Sequence, residues 1–224
     1  MSKLVDIFLQ PGRVFEAERD RPTFLVPLGI VVLLTAVFTL AYFMRVDPAW
    51  YGEHMLANMG RELSAQEAAA VKANMPGART QGVIGAVMGA IAVAAANAII
   101  ALYVWLAAKV TGRPLGFRHG MSLSAWSGMP MALGLLVALV GALTMSPQTA
   151  IESLMLTNID PLLVDLPADH RWNRLAQGFN LLTLWALYLF ALGWRTWTRS
   201  SWLQAILVAV LPTLVVFGVI ALIP

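Results

Sequence analysis

The stretch that decides this fold is residues 111–145, TGRPLGFRHGMSLSAWSGMPMALGLLVALVGALTM. After a short basic loop it contains no ionised residue from Gly120 onward, and none follows before Glu152. Roughly 20 apolar residues at about 1.5 Å each cross the ~30 Å hydrocarbon core of a bilayer, so the pattern predicts a transmembrane helix over residues 120–145. Because its many small and polar side chains need protein partners in lipid, we expect this span at the centre of the bundle.

The composition indicates a membrane protein before any motif is considered. Hydrophobic residues make up 59% of the 224 positions and charged residues only 12%, whereas an average soluble domain has roughly 25% charged residues. The formal net charge of +3 comes without a basic cluster, so we expect no nucleic-acid partner. The chain has no cysteine, which excludes disulfides, thiolate metal sites and a cysteine nucleophile.

The hydropathy pattern predicts an all-α, polytopic membrane protein with five transmembrane helices and a short interfacial N-terminal segment. Residues 1–23 form the cytoplasmic interfacial segment, in which the apolar spacing and the Pro11-Gly12 break predict two short helices. Residues 24–224 form the transmembrane domain. Its predicted spans are residues 24–44, 82–108, 120–145, 175–194 and 202–223.

The basic residues and the tryptophans predict how the spans sit in the membrane. Nine lysines and arginines fall in the N-terminal segment and in the second and fourth loops, and six fall in the first and third loops. Since positive loops stay inside, we expect a cytoplasmic (inner) membrane location with the N-terminus cytoplasmic and the C-terminus outside. Trp194, Trp197 and Trp202 cluster at one span boundary, which predicts interface anchors.

Small residues mark the candidate helix contacts. The second span carries a GxxxG pattern at Gly85 and Gly89, and the third span offers a matching small surface at Ser124 and Gly128. Such stripes let two helix backbones approach closely. We therefore predict that the glycine stripe packs on another span, with the third span as first choice. The competing interpretation is a homo-oligomer contact.

Three polar side chains within the spans are candidates for function: Asn97, Ser127 and Asn180. Each either hydrogen-bonds between helices or lines a solute path. The sequence places no ionisable residue deep in a span, which argues against an ion-driven pump.

No pattern in the sequence predicts chemistry. The histidines, His54, His119 and His170, lack metal-ligand spacing. The catalytic-triad, Walker and dinucleotide signatures are missing from the sequence as well. We expect no catalytic residue, no metal, no cofactor and no enzymatic activity.

Three motifs together resemble those of a known family. The first is L-x-x-I-F-x-x-P-x-x-x-F, from Leu4 to Phe15. The others are Gly116, Phe117, Arg118, Ser127 and Pro130, and Trp185 through Gly193 followed by Ser200, Ser201 and Ala205. With these motifs the chain resembles the Yip-one domain family of Ypt/Rab-interacting-type multi-pass membrane proteins. The resemblance implies five membrane helices and a cytosolic N-terminus.

The resemblance also bears on function. Eukaryotic members of the family are associated with Rab-type GTPases and vesicle traffic. Their long cytosolic N-terminal region, with its Tyr-Gly-Pro-bearing motif, has no counterpart in residues 1–23. The chain is therefore similar to a bacterial-type member, for which the family implies membrane localisation and little established chemistry.

Two functional hypotheses remain at this stage. The first is a non-enzymatic, scaffold-like membrane protein that acts through partner proteins or membrane organisation. The alternative is a transporter, channel or accessory permease subunit with a polar path near Asn97 and the third-span serines. The expected partners are the lipid bilayer, a membrane or cytosolic protein of unknown identity, or a second copy of the chain.

Overall fold

The structure is a computed structural model that describes residues 2–58, 64–164, 166, 170 and 172–222. The predicted end of the last span at Ile223 lies outside the described residues, as do Arg61 and Arg171, two of the basic residues counted for orientation. Within the described part there are twelve α-helices and one 3-10 helix, Glu152–Leu154. The α-helices are α1 (Lys3–Leu9), α2 (Pro11–Glu18), α3 (Leu25–Arg45), α4 (Pro48–Ala57), α5 (Ala65–Asn74), α6 (Ala78–Val110), α7 (Phe117–Ser127), α8 (Pro130–Thr144), α9 (Ile159–Leu162), α10 (Asn173–Gly178), α11 (Leu182–Thr198) and α12 (Trp202–Leu222).

The chain divides into two compact units. The first comprises Met1–Leu33, Ala90–Leu133 and Leu181–Pro224, and in it α11 packs against α2, α7 and α12. The second comprises Leu34–Gly89 and Gly134–Asn180. The core of the second unit gathers around buried residues of α3 and α8, namely Phe38, Tyr42, Ala138 and Ala142, with Val46, Met145 and Leu154 beside them.

Three of the predicted spans are continuous helices long and apolar enough to cross a membrane. They are Leu25–Arg45, Ala78–Val110 and Trp202–Ala221, and they confirm the all-α membrane class. The second of them has 33 residues, or ~50 Å at about 1.5 Å per residue, so it exceeds the ~30 Å bilayer core. The bent pair α7 and α8 is a fourth candidate.

The third predicted span, residues 120–145, is not the single continuous helix that the sequence suggested. It divides into α7 and α8, which meet at a bend of 45°. Pro130 has no amide hydrogen, and its ring would clash with the carbonyl of Trp126 in a continuous helix. That carbonyl instead accepts from the Met129 amide at 3.3 Å, which tightens the last turn of α7 and ends it.

The fourth predicted span, residues 175–194, is also wrong in its limits. The chain forms the short helix α10, leaves helical geometry at Phe179 and begins α11 only at Leu182. The Phe179 carbonyl accepts from the Ile159 amide at 2.9 Å, and Asn180 Nδ2 donates to Thr157 Oγ1 at 2.6 Å. These two partners come from a distant stretch of sequence, and they hold residues 179–180 outside a helix.

The glycine stripe of α6 packs on α3 and not on the third span. A Cβ added at Gly85 would lie 2.9 Å from Thr39 Cγ2, and one at Gly89 would lie 3.0 Å from Thr35 Cγ2. The stripe is therefore a close contact between the first two long helices, and the choice of the third span as its partner was wrong. Val87, on the same helix, is 53% exposed.

The tightest approach of helix backbones in the first unit involves Gly120 of α7 and Ala101 of α6. A Cβ at Gly120 would lie 2.8 Å from the Ala101 Cα and would meet the Ala101 carbonyl oxygen as well. Backbone atoms cannot move aside as a flexible side chain can. Gly120 therefore sets the distance between α6 and α7.

Gly120→Ala is expected to destabilise the protein, whereas Gly29→Ala is expected to be neutral or slightly stabilising. Both glycines lie in helices, but Gly29 has open space where its Cβ would be. Overpacking costs about 1–3 kcal/mol, and Gly→Ala in an open helix position gains roughly 0.5–1 kcal/mol. Thermal unfolding of the two variants in detergent measures the difference. Equal melting temperatures would show that the α6–α7 approach is not rigid.

Candidate functional site

The N-terminal segment folds as two short helices with one buried face. Pro11 occupies the first turn of α2, where its missing amide hydrogen costs nothing. On α2 the buried residues are Val14, Phe15 and Glu18, which share one face at spacings of three and four residues. The apolar pattern of α2 thus carries a carboxylate into the interior with it.

Aromatic side chains hold this face on α11. Phe15 lies edge-on to Trp197 with ring centroids 6.1 Å apart. Gly193 leaves the room for this contact, since a Cβ there would come within 2.8 Å of the Phe15 ring. Phe8 makes a similar edge contact with Trp185, at 5.6 Å. Edge-to-face pairs contribute roughly 0.5–1.5 kcal/mol beyond their buried area.

This packing corrects the interpretation of the tryptophans. Trp194 is 0% exposed and Trp197 only 4%, so neither is an anchor at the headgroup level. Trp197 instead contacts Phe15 of α2 through its ring and its indole N–H. Trp202 remains 41% exposed, as an interface residue requires.

The Glu18 carboxylate is fully buried and has four donors around it. Lys3 Nζ donates to Oε1 at 2.6 Å. Thr23 Oγ1 donates at 2.8 and 2.9 Å to the two oxygens, and the Thr23 amide donates to Oε2. Ser122 Oγ of α7 adds a further bond at 3.1 Å. The charge is therefore compensated in place, as a buried carboxylate requires.

These donors also set the ionisation of Glu18. Burial by itself raises the pKa of the carboxyl, but the hydrogen bonds from Lys3 and Thr23 outweigh burial and leave the pKa below its ordinary value. Glu18 is consequently ionised at neutral pH. Its contribution to stability is present above the ordinary pKa and is lost as the pH falls through the lowered value.

Four backbone carbonyls at the end of the segment are bound by side chains of α7 and α11. The last carbonyls of a helix have no intrahelical donor, and here the donors are indole, imidazole and guanidinium groups. The pairs are Trp197 Nε1 to Phe15 O at 2.6 Å, His119 Nε2 to Arg19 O at 3.1 Å, Arg118 Nε to Pro22 O at 2.9 Å and Trp126 Nε1 to Thr23 O at 2.9 Å.

His119 is a positioned donor whose two ring nitrogens both form hydrogen bonds. Its Nδ1 accepts from the Gly116 amide at 3.2 Å, which leaves Nε2 to carry the proton given to Arg19 O. Its ring also contacts Trp197 edge-on at 5.7 Å. Both nitrogens are thus engaged in holding the segment.

Asn97, one of the predicted polar candidates, is buried beside α7. Asn97 is 7% exposed, and its Nδ2 makes a long contact of 3.5 Å with Met121 O of α7. Asn97, Ser124 and Gly128 line a common cleft of about 230 Å³ whose other walls are apolar. The structure therefore brings these three predicted residues together, beside a contact between two helices.

Ser127 and Asn180 do not belong to that cleft. Ser127 Oγ donates to Leu123 O one turn back in its own helix, at 2.6 Å. Asn180 belongs to the second unit, where it closes the turn before α11. Neither side chain lines the cleft beside Asn97.

In the second unit the polar loops form solvated pairs. His54 Nε2 lies 2.7 Å from Glu152 Oε1, and the His54 ring stacks on Trp50 at 4.9 Å. Burial, and after it the nearby Glu152 charge, raises the pKa of Tyr51.

Comparison with known proteins now identifies the family, since residues 5–223 match the model of the Yip1 domain. The chain belongs to the Yip1 domain family. A relative, "Membrane protein YknW" of Bacillus subtilis (strain 168), is 27% identical over 208 residues, which are 91% of this chain and 84% of the relative. It supports the resemblance to a bacterial-type member. No solved structure matches the chain.

The motifs that carried the Yip1 resemblance converge on the docked segment. Phe8 and Phe15 from the first motif, Arg118 from the second and Gly193 from the third all contribute to one contact region in the first unit. We therefore take the N-terminal segment, with the residues of α7 and α11 that bind it, as the candidate functional site.

Glu18, Thr23 and Ser122 belong to this site, although the sequence did not predict them as site residues. A signal was present: Glu18 lies on the same helical face as Val14 and Phe15, which predicts burial. The partner Ser122 was unpredictable, since it lies 104 positions away in sequence.

Glu18→Gln is expected to release the N-terminal segment. Val14 is 2% exposed, so Val14→Cys, in a chain without other cysteines, reports undocking by its rate of maleimide labelling. Hydrogen bonds to a charged group contribute roughly 1.5–3 kcal/mol, so Glu18→Gln should speed labelling about tenfold or more. The labelling rate of Val14→Cys with Glu18 intact, divided by that of the exposed Leu9→Cys variant to remove the pH dependence of thiol reactivity, should also rise as the pH falls below the ordinary pKa of 4.5, and not between that value and neutrality.

The matched control is Glu16→Gln on the exposed face of α2, which should leave the labelling rate unchanged. A cysteine in place of Leu9, 64% exposed, should react quickly in every background. If Glu18→Gln and Glu16→Gln label at the same rate, the buried carboxylate does not hold the segment.

Proposed function

We propose that this Yip1-family protein acts without enzymatic chemistry, through partner proteins and by organising the surrounding bilayer. The observation that carries the proposal is the docked N-terminal segment. Its polar groups are used to fix two helices in place, and fixing them presents a defined outer surface. Eight side-chain hydrogen bonds, from donors in the segment itself, in α7 and in α11, support a fixed outer surface of this kind.

The outer surface of the segment has two chemically different parts. On α1 the exposed residues Val5 (45%) and Leu9 (64%) are apolar, which suits the acyl boundary of a bilayer. On and after α2 the exposed residues carry mixed charge, and they are Arg13, Glu16, Arg19 and Asp20. The first part supports contact with lipid, and the second supports contact with a polar protein surface.

A site-specific photocrosslinker tests the partner role. Placed at Ala17, which is exposed on the charged face of α2, it should yield a discrete protein adduct in cells, and Glu18→Gln should abolish that adduct. The same group at Leu203, 70% exposed on α12, controls for random collision in the membrane. No specific adduct at Ala17, together with saturable solute flux in liposomes that Asn97→Leu removes, would overturn the proposal.

The second candidate is a transporter, channel or accessory permease subunit. The cleft that contains Asn97 and Ser124 favours it, because a polar side chain beside a cavity in a bundle is the minimum a solute path needs. Its apolar walls favour the first candidate. The liposome experiment distinguishes the two.

We further propose five spans in an inner membrane, with the N-terminus cytoplasmic and the C-terminus outside. The span added to the four candidates is α11, the fourth in chain order. Its 17 residues meet the lower limit of about 17 for crossing a bilayer. The first unit carries nine lysines and arginines against four acidic residues, which supports an inside position for its loops.

Reporter fusions after Arg21, Arg113 and Arg199 are expected to give cytoplasmic signals. Fusions at Lys72 and after Pro224 are expected to give outside signals, since an odd number of spans separates each of them from the N-terminus. Paired reporters active on opposite sides provide the control. A cytoplasmic signal from the fusion after Pro224 would require an even number of spans and would exclude α11 as a span.

A further inference from the structure

A cleft of about 630 Å³ opens beside the docked segment, where α3 and α7 begin. Two of its lining residues, Leu25 and Val26, are 74% and 57% exposed. Both helices start at the border between polar loop and apolar span, which is where lipid headgroups lie. The side chains around the cleft are Phe24, Leu25, Val26, Phe117, Met121 and Arg118. An apolar wall with one cation at its polar end has the chemistry of a phospholipid site.

Arg118 is the cation of this cleft. Its Nε is committed to Pro22 O, which fixes the guanidinium plane and leaves the terminal N–H groups for a ligand. It forms no ion pair with a described acidic residue. All four acidic residues of the first unit lie in the described part of the chain. A planar, uncompensated guanidinium is suited to bind phosphate.

The charge of the first unit agrees with an anionic ligand. Its nine lysines and arginines outnumber its four acidic residues. One of these acidic residues, Glu18, already forms an ion pair with Lys3. A zwitterionic lipid offers phosphate but no net charge, whereas an anionic lipid offers both. Charge complementarity therefore selects the anionic class.

We propose that this cleft binds an anionic phospholipid. Its phosphate lies on the Arg118 guanidinium, and one acyl chain lies against Leu25, Val26 and Phe117. The site goes beyond the proposed partner role, and the residues of the cleft are not those of the charged α2 face.

The test measures lipid affinity of the full-length, delipidated chain in detergent. Phosphatidylglycerol, phosphatidylcholine and inorganic phosphate are titrated separately, with thermal stabilisation as the readout. We expect a preference for phosphatidylglycerol over phosphatidylcholine that Arg118→Gln reduces about fivefold, the usual effect of one basic residue at an anionic surface. Inorganic phosphate, lacking acyl chains, should not stabilise the protein.

Two variants separate the phosphate contact from the chain contact. Val26→Trp should fill the cleft without touching the guanidinium and lower the affinity for both lipids. Arg13→Gln, on the exposed face of α2, should leave both affinities as they are. The Val14→Cys labelling rate shows whether Arg118→Gln stays docked. If it does not, Arg118→Lys replaces it and should still lower the affinity for phosphatidylglycerol, because lysine lacks the planar fork that binds phosphate.

Three results would overturn the lipid site. The first is equal binding of phosphatidylglycerol and phosphatidylcholine by the parent protein. The second is an unchanged preference in Arg118→Gln together with unchanged affinity in Val26→Trp. The third is stabilisation by inorganic phosphate equal to that by phosphatidylglycerol, which would show a phosphate site without a lipid chain. If the otherwise unchanged protein gives no specific adduct from the photocrosslinker at Ala17 but still prefers phosphatidylglycerol, the result counts against the partner role alone.

Discussion

The first unit depends on satisfying the polar groups at the end of α2 as they leave water. Burial of an amide carbonyl without a donor costs roughly 1–3 kcal/mol, and burial of an unpaired carboxylate costs far more. Here the donors to the carbonyls come from α7 and α11, and those to Glu18 come from Lys3, Thr23 and Ser122. Each donor fits only one placement of the segment. The apolar contacts of Phe8 and Phe15 supply the burial, and the hydrogen bonds determine its geometry.

The two units use charge in different ways. In the first unit the basic residues outnumber the acidic ones, and an ion pair between the buried Glu18 and the half-exposed Lys3 helps to fix a helix. In the second unit the ion pair of Lys72 with Glu53 is solvated, with side chains 46% and 71% exposed. Exposed pairs of this kind contribute about 0–1 kcal/mol. The side-chain helix caps of that unit are local. Asp47 of α4 and Ser64 of α5 each accept hydrogen bonds from backbone amides within three residues.

The sequence predicts well those helices whose positions depend on local patterns of residues. Hydropathy alone located α3, α6 and α12. The breaks at Gly128 and at residues 179–181 were not predicted. The first follows from Pro130, whose effect inside an apolar run depends on how neighbouring helices receive it. The second follows from Ile159 and Thr157, which are remote in sequence. Trp194 and Trp197 were assigned to the membrane interface because composition cannot distinguish an interface anchor from a tryptophan buried between helices.

With a lipid in the proposed site, the shared position of Arg118 would link lipid binding to docking of the segment. Its Nε holds Pro22 O, and the same guanidinium faces the cleft where α3 and α7 begin. A phosphate on the terminal N–H groups would restrict the side chain in the orientation that docking needs, so that each event reduces the entropy cost of the other. Binding linkage is reciprocal. Docking of the segment must therefore raise the affinity for the anionic lipid by the same factor by which the lipid favours docking. The fraction of molecules that present the outer face of α2 would then depend on the lipid composition of the bilayer, without any movement of the spans.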